Sequence, residues 1–340
     1  MKKKKSFSSK LLSNWRKLGP GLVTGASDDD PSGIATYSQD LIKVLTKKFD
    51  HSFDFSICAL ESDTEQHTYT EPIKYILNTD TAHAFQNMAA TINADTAVEL
   101  VVLQHEFGFY KANEKDFSAF LKLLQKPFVL VFHTVLPSPD EPLLFFVQEI
   151  SMLAASVIVM TKSSKKILVS DYLLPVKKIT VIPHGTHLVP HEAEETLKEK
   201  YKLSGRKVLS TFGLLSSGKS IETTLEALPA IVQKNPDVLF LIMGKTHPSV
   251  VKAQGEVYRQ KLETMVEDLQ LQKHVQFINA FLPLPLLLEY LQLTDIYLFT
   301  SKDRNQAVSG TFSYAMSSGC AIISTPIPHA VEVLKNDAGI

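Results

Sequence analysis

The feature that most constrains this chain is a repeated alternation of strand-length apolar runs with helix-length amphipathic segments, starting near residue 54. FDFSICAL, VELVVLQ, PFVLVF, ASVIVM and KITVIP are apolar almost without interruption, and Thr81–Asn93, Phe117–Gln125 and Leu143–Leu153 between them read as helices. Near-continuous apolar strands separated by helices predict a parallel sheet covered on both faces. A charged, helix-prone segment, HEAEETLKEKYKLSGR, interrupts the pattern at 191–206. The alternation then restarts with the strands KVLSTFG, DVLFLIMG, HVQFI, DIYLFT and CAIIST. Helices are predicted between them over Glu222–Lys234, Val251–Leu269, Pro285–Leu291 and Gly310–Ser318. Two such arrays in 340 residues predict an α/β chain of two Rossmann-like domains facing a cleft, with ligands at the carboxyl ends of the strands.

Composition removes several functions. Lys and Arg number 35 against 36 Asp and Glu, so the basic surplus usual for a nucleic-acid binder is missing. The only cysteines, Cys58 and Cys320, sit in apolar strand-like runs and give neither a disulfide framework nor metal-ligand spacing. No signal-peptide pattern follows the basic start, and no stretch reaches the ~18–20 apolar residues of a membrane span. A reducing cytoplasm is the default compartment.

The second half carries, in order, IPHGT (Ile182–Thr186), FGLLSSGKSIETTLEALPAI (Phe212–Ile231), FLIMGKTHP (Phe240–Pro248), LTDIYLFTS (Leu293–Ser301) and AVSGTFSYAMSSGCAIISTPIPHAVEVL (Ala307–Leu334). This ordered series resembles family 4 retaining glycosyltransferases of the GT-B fold. In the first half, GIATYSQDLIKVL (Gly33–Leu45), QHEFGF (Gln104–Phe109) and VFHTVLPSP (Val131–Pro139) resemble that family's first helix and acceptor-side strand ends. The phrasing HEFG, FHT and G-x-T-H-P is most similar to a bacterial branch that includes mannosyltransferase-like enzymes. The resemblance spans about 33–340. It implies transfer of a sugar, with mannose the first to test, from a nucleotide sugar to a glycan or lipid-linked acceptor. It implies no metal and no other cofactor. The domains it suggests are 33–190 on the acceptor side, a linker at 191–206, and a nucleotide-sugar domain at 207–340. The family usually continues past Ile340 through another strand and closing helices, so the last domain reads as incomplete.

Sugar transfer from a nucleoside diphosphate needs the leaving phosphates neutralised and the sugar oriented. By resemblance Lys219, after the Ser216-Ser217-Gly218 turn, is the phosphate cation; the alternative is a solvated lysine at a helix start. Gly33, Gly213, Ser217, Gly218 and Lys245 fall at the donor side. Ser309, Gly310 and Thr311 begin a helix whose N–H groups can hold the diphosphate or simply be capped. His133 either faces the donor sugar or is a satisfied structural histidine. His105 and Glu106 are candidates for the acceptor side, while His247 and His329 read as structural. The family's arginine five positions before the phosphate lysine is Leu214 here. Its pair of glutamates eight apart is Gln306 and Tyr314, so Gln306 is left to bond sugar hydroxyls and Tyr314 to meet the ribose. These departures leave a catalytically inactive glycosyltransferase-like fragment as an alternative.

Two further patterns stand beside this resemblance. Gly213–Ser220 reads G-L-L-S-S-G-K-S and satisfies the P-loop spelling, which keeps NTP hydrolysis as a rival reading. Residues 17–39, KLGPGLVTGASDDDPSGIATYSQ, resemble the first membrane helix of Nramp-type metal transporters, so 1–32 reads as a fused segment with GLVTGAS standing where a first strand belongs. No multiple spans follow, and Asp28, Asp29 and Asp30 are expected to be a solvated loop rather than a metal site. Lys2–Lys5 read as a basic tail, with weak attraction to anionic lipid at the inner membrane face as the alternative.

Overall fold

The computed structural model describes residues 21–25, 33–49, 52–63, 73–187 and 189–335. The chain divides into two units, Met1–Pro183 and His184–Ile340, each built on its own sheet.

The first sheet has seven strands: β1 (Gly21–Gly25), β2 (Phe55–Glu61), β3 (Ile73–Asn78), β4 (Leu100–His105), β5 (Phe128–Phe132), β6 (Ser156–Val159) and β7 (Ile179–Val181). Their order is β3-β2-β1-β4-β5-β6-β7, and every pairing is parallel. The helices are α1 (Gly33–Phe49), α2 (Ala84–Ala94), α3 (Phe107–Tyr110), α4 (Glu114–Leu123), α5 (Glu141–Leu153) and α6 (Lys162–Ser170). Parallel strands need such crossovers, and the helices cover the sheet so that Val101, Leu130, Val157 and Val159 lose all contact with solvent. Local chemistry fixes where α5 begins. The Asp140 carboxylate accepts the Leu143 N–H, and Pro142 occupies the first turn, where no backbone donor is needed.

One expectation holds here, GLVTGAS supplying the first strand, and two change, the membrane helix and the domain start at residue 33. Gly21–Gly25 is a strand inside the first sheet, hydrogen-bonded on one side to β2 and on the other to β4, with Val23 opposite both Ile57 and Val102. The described part of 17–39 is therefore a strand followed by α1, not a membrane helix, and the first unit does not begin at residue 33. No described helix is long and apolar enough to cross a membrane. Strand β3 went unread because it lies at the sheet edge, where only alternate side chains, Tyr75 and Leu77, are buried. Lys2–Lys5, Asp28–Asp30 and 336–340 lie outside the described residues.

The second unit opens with α7 (Glu194–Lys200), then β8 (Lys207–Phe212), α8 (Ile221–Lys234), β9 (Val238–Met243), α9 (Pro248–Gln254), α10 (Val257–Asp268) and β10 (Val275–Ile278). It closes with α11 (Leu284–Gln292), β11 (Ile296–Phe299), α12 (Gly310–Ser317), β12 (Ala321–Ser324) and α13 (Pro328–Val333). The sheet order is β10-β9-β8-β11-β12, again parallel. All six residues of β9 are buried, as its unbroken apolar spelling requires.

The stretch 191–206, expected as a linker, instead contributes α7 to this unit. Leu197 joins its core, and the buried Lys198 ammonium reaches Asp295 at 2.7 Å. The single helix expected over Val251–Leu269 is two helices, because Gly255 turns at φ +64 and ends α9.

Candidate functional site

In the second unit the carboxyl ends of β8 and β9 approach so closely that only glycine fits. A Cβ on Gly244, whose φ is +133, would stand 2.1 Å from the Gly213 carbonyl oxygen. The two loops then continue side by side, with Leu215 N–H donating to Lys245 O (2.8 Å) and His247 N–H to Leu215 O (2.9 Å). This pairing holds the turn of Ser217 and Gly218, and it aims Lys219 back at the strand end. The position of a Gly213 Cβ lies 2.9 Å from Lys219 Nζ and 3.1 Å from Thr311 Cγ2. Lys219 Nζ donates one long bond, 3.4 Å, to Phe212 O and forms no ion pair among the described residues. Lys219 is half-buried, and burial pushes its pKa down to about 8.

The amino end of α12 faces the same spot. Ser309 Oγ accepts the Phe312 N–H and caps the helix, while the first N–H groups of a helix lack intrahelical acceptors. Ser309 N–H donates to His329 Nδ1 at 3.3 Å, so His329 holds the loop that precedes the helix. Burial, with His184 adding, brings the pKa of His329 down to about 4 and keeps the ring neutral. His184 Nε2 lies 3.8 Å from where a Gly310 Cβ would be. One turn along α12, the Tyr314 ring stacks on His187 (centroids 5.4 Å apart, planes within 6°), and Tyr314 Oη is 3.3 Å from His187 Nε2. Lys219, Gly213, Ser309, Gly310, Thr311 and Tyr314 thus share one end of one sheet. His184 and His187 belong with them and were not singled out; their signal was the HGTH inside the inter-domain motif.

Other expected residues make contacts of their own. Gln306 accepts a bond from Ser301 Oγ (3.0 Å) within the loop before α12. Lys245 is exposed and lines a cavity of about 520 Å³ with Thr246, Lys252, Glu256 and Asn279. Gly33 opens α1 in the first unit, with open space around it. Asp295 does not serve the P-loop reading as a magnesium carboxylate. Asp295 precedes β11 at the opposite end of the sheet, where it accepts from Lys198, Lys207 and the Val208 N–H.

In the first unit the ends of β4 and β5 gather a polar group beneath α1. His133 Nε2 is 2.8 Å from Gln104 Oε1, and its ring meets Tyr37 edge-on at 5.1 Å. Glu106 caps α3 through the Phe107 N–H and accepts from Thr134 Oγ1 at 2.6 Å. His105 corrects the expectation of an acceptor-side residue, because its ring has no solvent exposure. It packs among Phe107, Tyr110, Phe117, Phe132 and Phe146, and neither ring nitrogen has a partner. As an inward residue at the end of β4 it is part of the core, and burial drives its pKa down to about 3.

Against known proteins, one observation decides the class of the second unit. Residues 193–340 match the family of glycosyl transferases group 1. The second unit is similar to that family over nearly its whole length. No curated protein matches the chain. Among solved structures, the chain is similar to HepE of Anabaena in complex with UDP and glucose. The TM-score is 0.69 at 14% identity, covering 94% of this chain and 83% of that one. A glycosyltransferase of Rickettsia africae gives 0.68 at 18% identity, covering 93% and 82%. Sucrose-phosphate synthase of Thermosynechococcus elongatus gives 0.68 at 14%, covering 90% and 81%. Identities this low speak for fold alone, and that fold is GT-B, with two Rossmann-like sheets.

Proposed function

We propose that the chain is a retaining glycosyltransferase that moves a hexose from a nucleoside diphosphate sugar to a glycan or lipid-linked acceptor in the cytoplasm. One observation carries the reading: a half-buried Lys219 with no carboxylate partner among the described residues stands beside Gly213 and the amino end of α12. A half-buried cation and the first N–H groups of a helix are complementary to a diphosphate, and they gain most when negative charge builds on it as the glycosidic bond breaks. The reading needs no metal ion, since Lys219 and the helix supply the positive charge. Gln306 and Tyr314 bond sugar and ribose hydroxyls as neutral groups. UDP is the first nucleotide to test, because HepE is solved with UDP and with UDP-glucose. GDP-mannose follows from the mannosyltransferase-like motifs, and family 4 from their order.

Calorimetric titration with UDP, UDP-glucose, GDP and GDP-mannose tests the proposal, followed by transfer to glycan acceptors. Loss of binding in Lys219→Ala is expected; binding of none of the four by the wild type removes the idea. The absence of a charged side chain at 306 and 314 favours a second reading, a nucleotide-sugar binder without turnover. Binding without product under every acceptor condition would establish that one.

A further inference from the structure

One surface of the first unit carries apolar side chains where solvent should be. On α5, Phe145 is 62% exposed and Met152, one heptad later, 54% exposed. These residues share a helix face. Gln148 lies between them and donates to the Tyr172 carbonyl at 2.9 Å, which brings that face against the turn after α6. The next residue in the turn, Leu173, is 72% exposed, and Val176 is 57% exposed.

Leu173 also sits at φ +56, in the left-handed region, where a residue with a Cβ pays about 1 kcal/mol that glycine escapes and asparagine partly offsets by local hydrogen bonding. The position is thus unfavourable twice over, in backbone and in solvation, and neither penalty helps the fold. Lysines rim the apolar group. Lys178 donates to the Met152 carbonyl at 2.6 Å, Lys177 beside it is exposed, and Lys165 donates to the Ile179 carbonyl at 2.8 Å. The neighbouring carboxylates are engaged: Asp171 accepts from Ser138 and Ser170, and Glu149 pairs with Lys122.

We propose that this face, with Leu173, Val176, Phe145 and Met152 as its apolar tip and Lys177 and Lys178 as its rim, docks the chain on an anionic lipid bilayer. Apolar side chains enter the interface while ammonium groups stay at headgroup depth, each lysine adding electrostatic attraction. A second copy of this chain is disfavoured as the occupant, because an isologous contact sets the same lysines against one another. The inference is independent of the sugar-transfer reading, since the face contains none of the donor-site residues.

Full-length protein is sedimented with vesicles of phosphatidylcholine alone and of phosphatidylcholine with phosphatidylglycerol, at low and high salt. Binding is expected only to the phosphatidylglycerol vesicles, and it weakens as salt rises. Leu173→Asn with Val176→Ser, which keeps a residue suited to the left-handed turn, should lower partitioning about tenfold or more. Lys177→Gln with Lys178→Gln should lower it about tenfold. Circular dichroism and unchanged thermal melts show that each variant is folded. Absence of binding to phosphatidylglycerol vesicles overturns the proposal. So does equal binding by wild type and L173N/V176S, which puts attachment elsewhere, as at Lys2–Lys5. A dimer seen by light scattering and lost in L173N/V176S, with no lipid binding, overturns it in favour of self-association.

Discussion

Replacing Lys219 by methionine separates what the donor site does for binding from what it costs the fold. Lys219 is half-buried, and its pKa falls from 10.5 to about 8 by burial. That difference corresponds to about 3 kcal/mol between the cation in water and the cation in this site. At pH 7 the lysine is still protonated in both folded and unfolded chains, so the folded state bears the whole penalty. Met keeps the stem and removes the charge. The unliganded variant should therefore be more stable by up to about 3 kcal/mol at pH 7, a rise in Tm of roughly 6–12 °C for a unit of this size. The penalty fades with alkalinity. Between pH 8 and 10.5 the folded wild type sheds the proton that its unfolded chain retains, so wild-type stability rises and the gap closes. Urea denaturation of both proteins at pH 7 and near pH 10 measures the gap, and other titrating groups cancel in the comparison. Nucleotide binding should be lost while stability is gained. A Lys219→Met protein less stable than wild type at pH 7, or a gap that does not narrow with pH, refutes the reasoning.

Further outcomes are expected elsewhere. His105→Phe fills an aromatic pocket and removes two unpartnered ring nitrogens, so it should stabilise the first unit by about 1–2 kcal/mol at pH 7. In the wild type, His105 has a pKa near 3 when folded and an ordinary one when unfolded. Stability is thus full above about pH 6.5 and falls as pH drops toward 3, and thermal melts at pH 7 and pH 5 should show a shallower fall in His105→Phe. Asp295→Ala leaves the Lys198 ammonium, which is 1% exposed, with Glu194 as its one carboxylate partner and removes the acceptor of Lys207 and the Val208 N–H, so it should cost about 1–3 kcal/mol by urea unfolding; adding Lys198→Met should recover part of it. Gly244→Ala drives a Cβ to 2.1 Å from a backbone oxygen at φ +133, so a loss of about 3 kcal/mol or more is expected, seen as a lower Tm and weaker UDP binding.

The apolar runs fixed most of what the chain becomes. FVLVF and VLFLIM cannot face water on either side, so they had to be central strands of covered parallel sheets, and β5 and β9 are such strands. The turn Ser216-Ser217-Gly218 before Lys219, and Ser309 before Gly310, marked the donor site through loop chemistry that is local to the sequence. Edge and inserted elements were harder to read. Strand β3 buries only alternate residues, and β1 is so short and glycine-rich that its partners, not its composition, make it a strand.

What only tertiary structure decided is which polar groups meet. His105 and His133 follow similar strands and look alike in sequence, yet one is sealed among aromatic rings and the other bonds Gln104. The P-loop spelling and the glycosyltransferase motifs share Lys219, and the spelling alone does not choose between them. Folding sends Asp295 to the far end of the sheet, paired with Lys198, and sets Thr311 and the start of α12 beside Gly213. The alternation of apolar and polar residues is a one-dimensional signal, and the hydrophobic effect reads it without knowing partners. The chemistry of a site depends on distances between residues far apart in the chain, and these exist only once both strand ends and helix N-terminus are packed together.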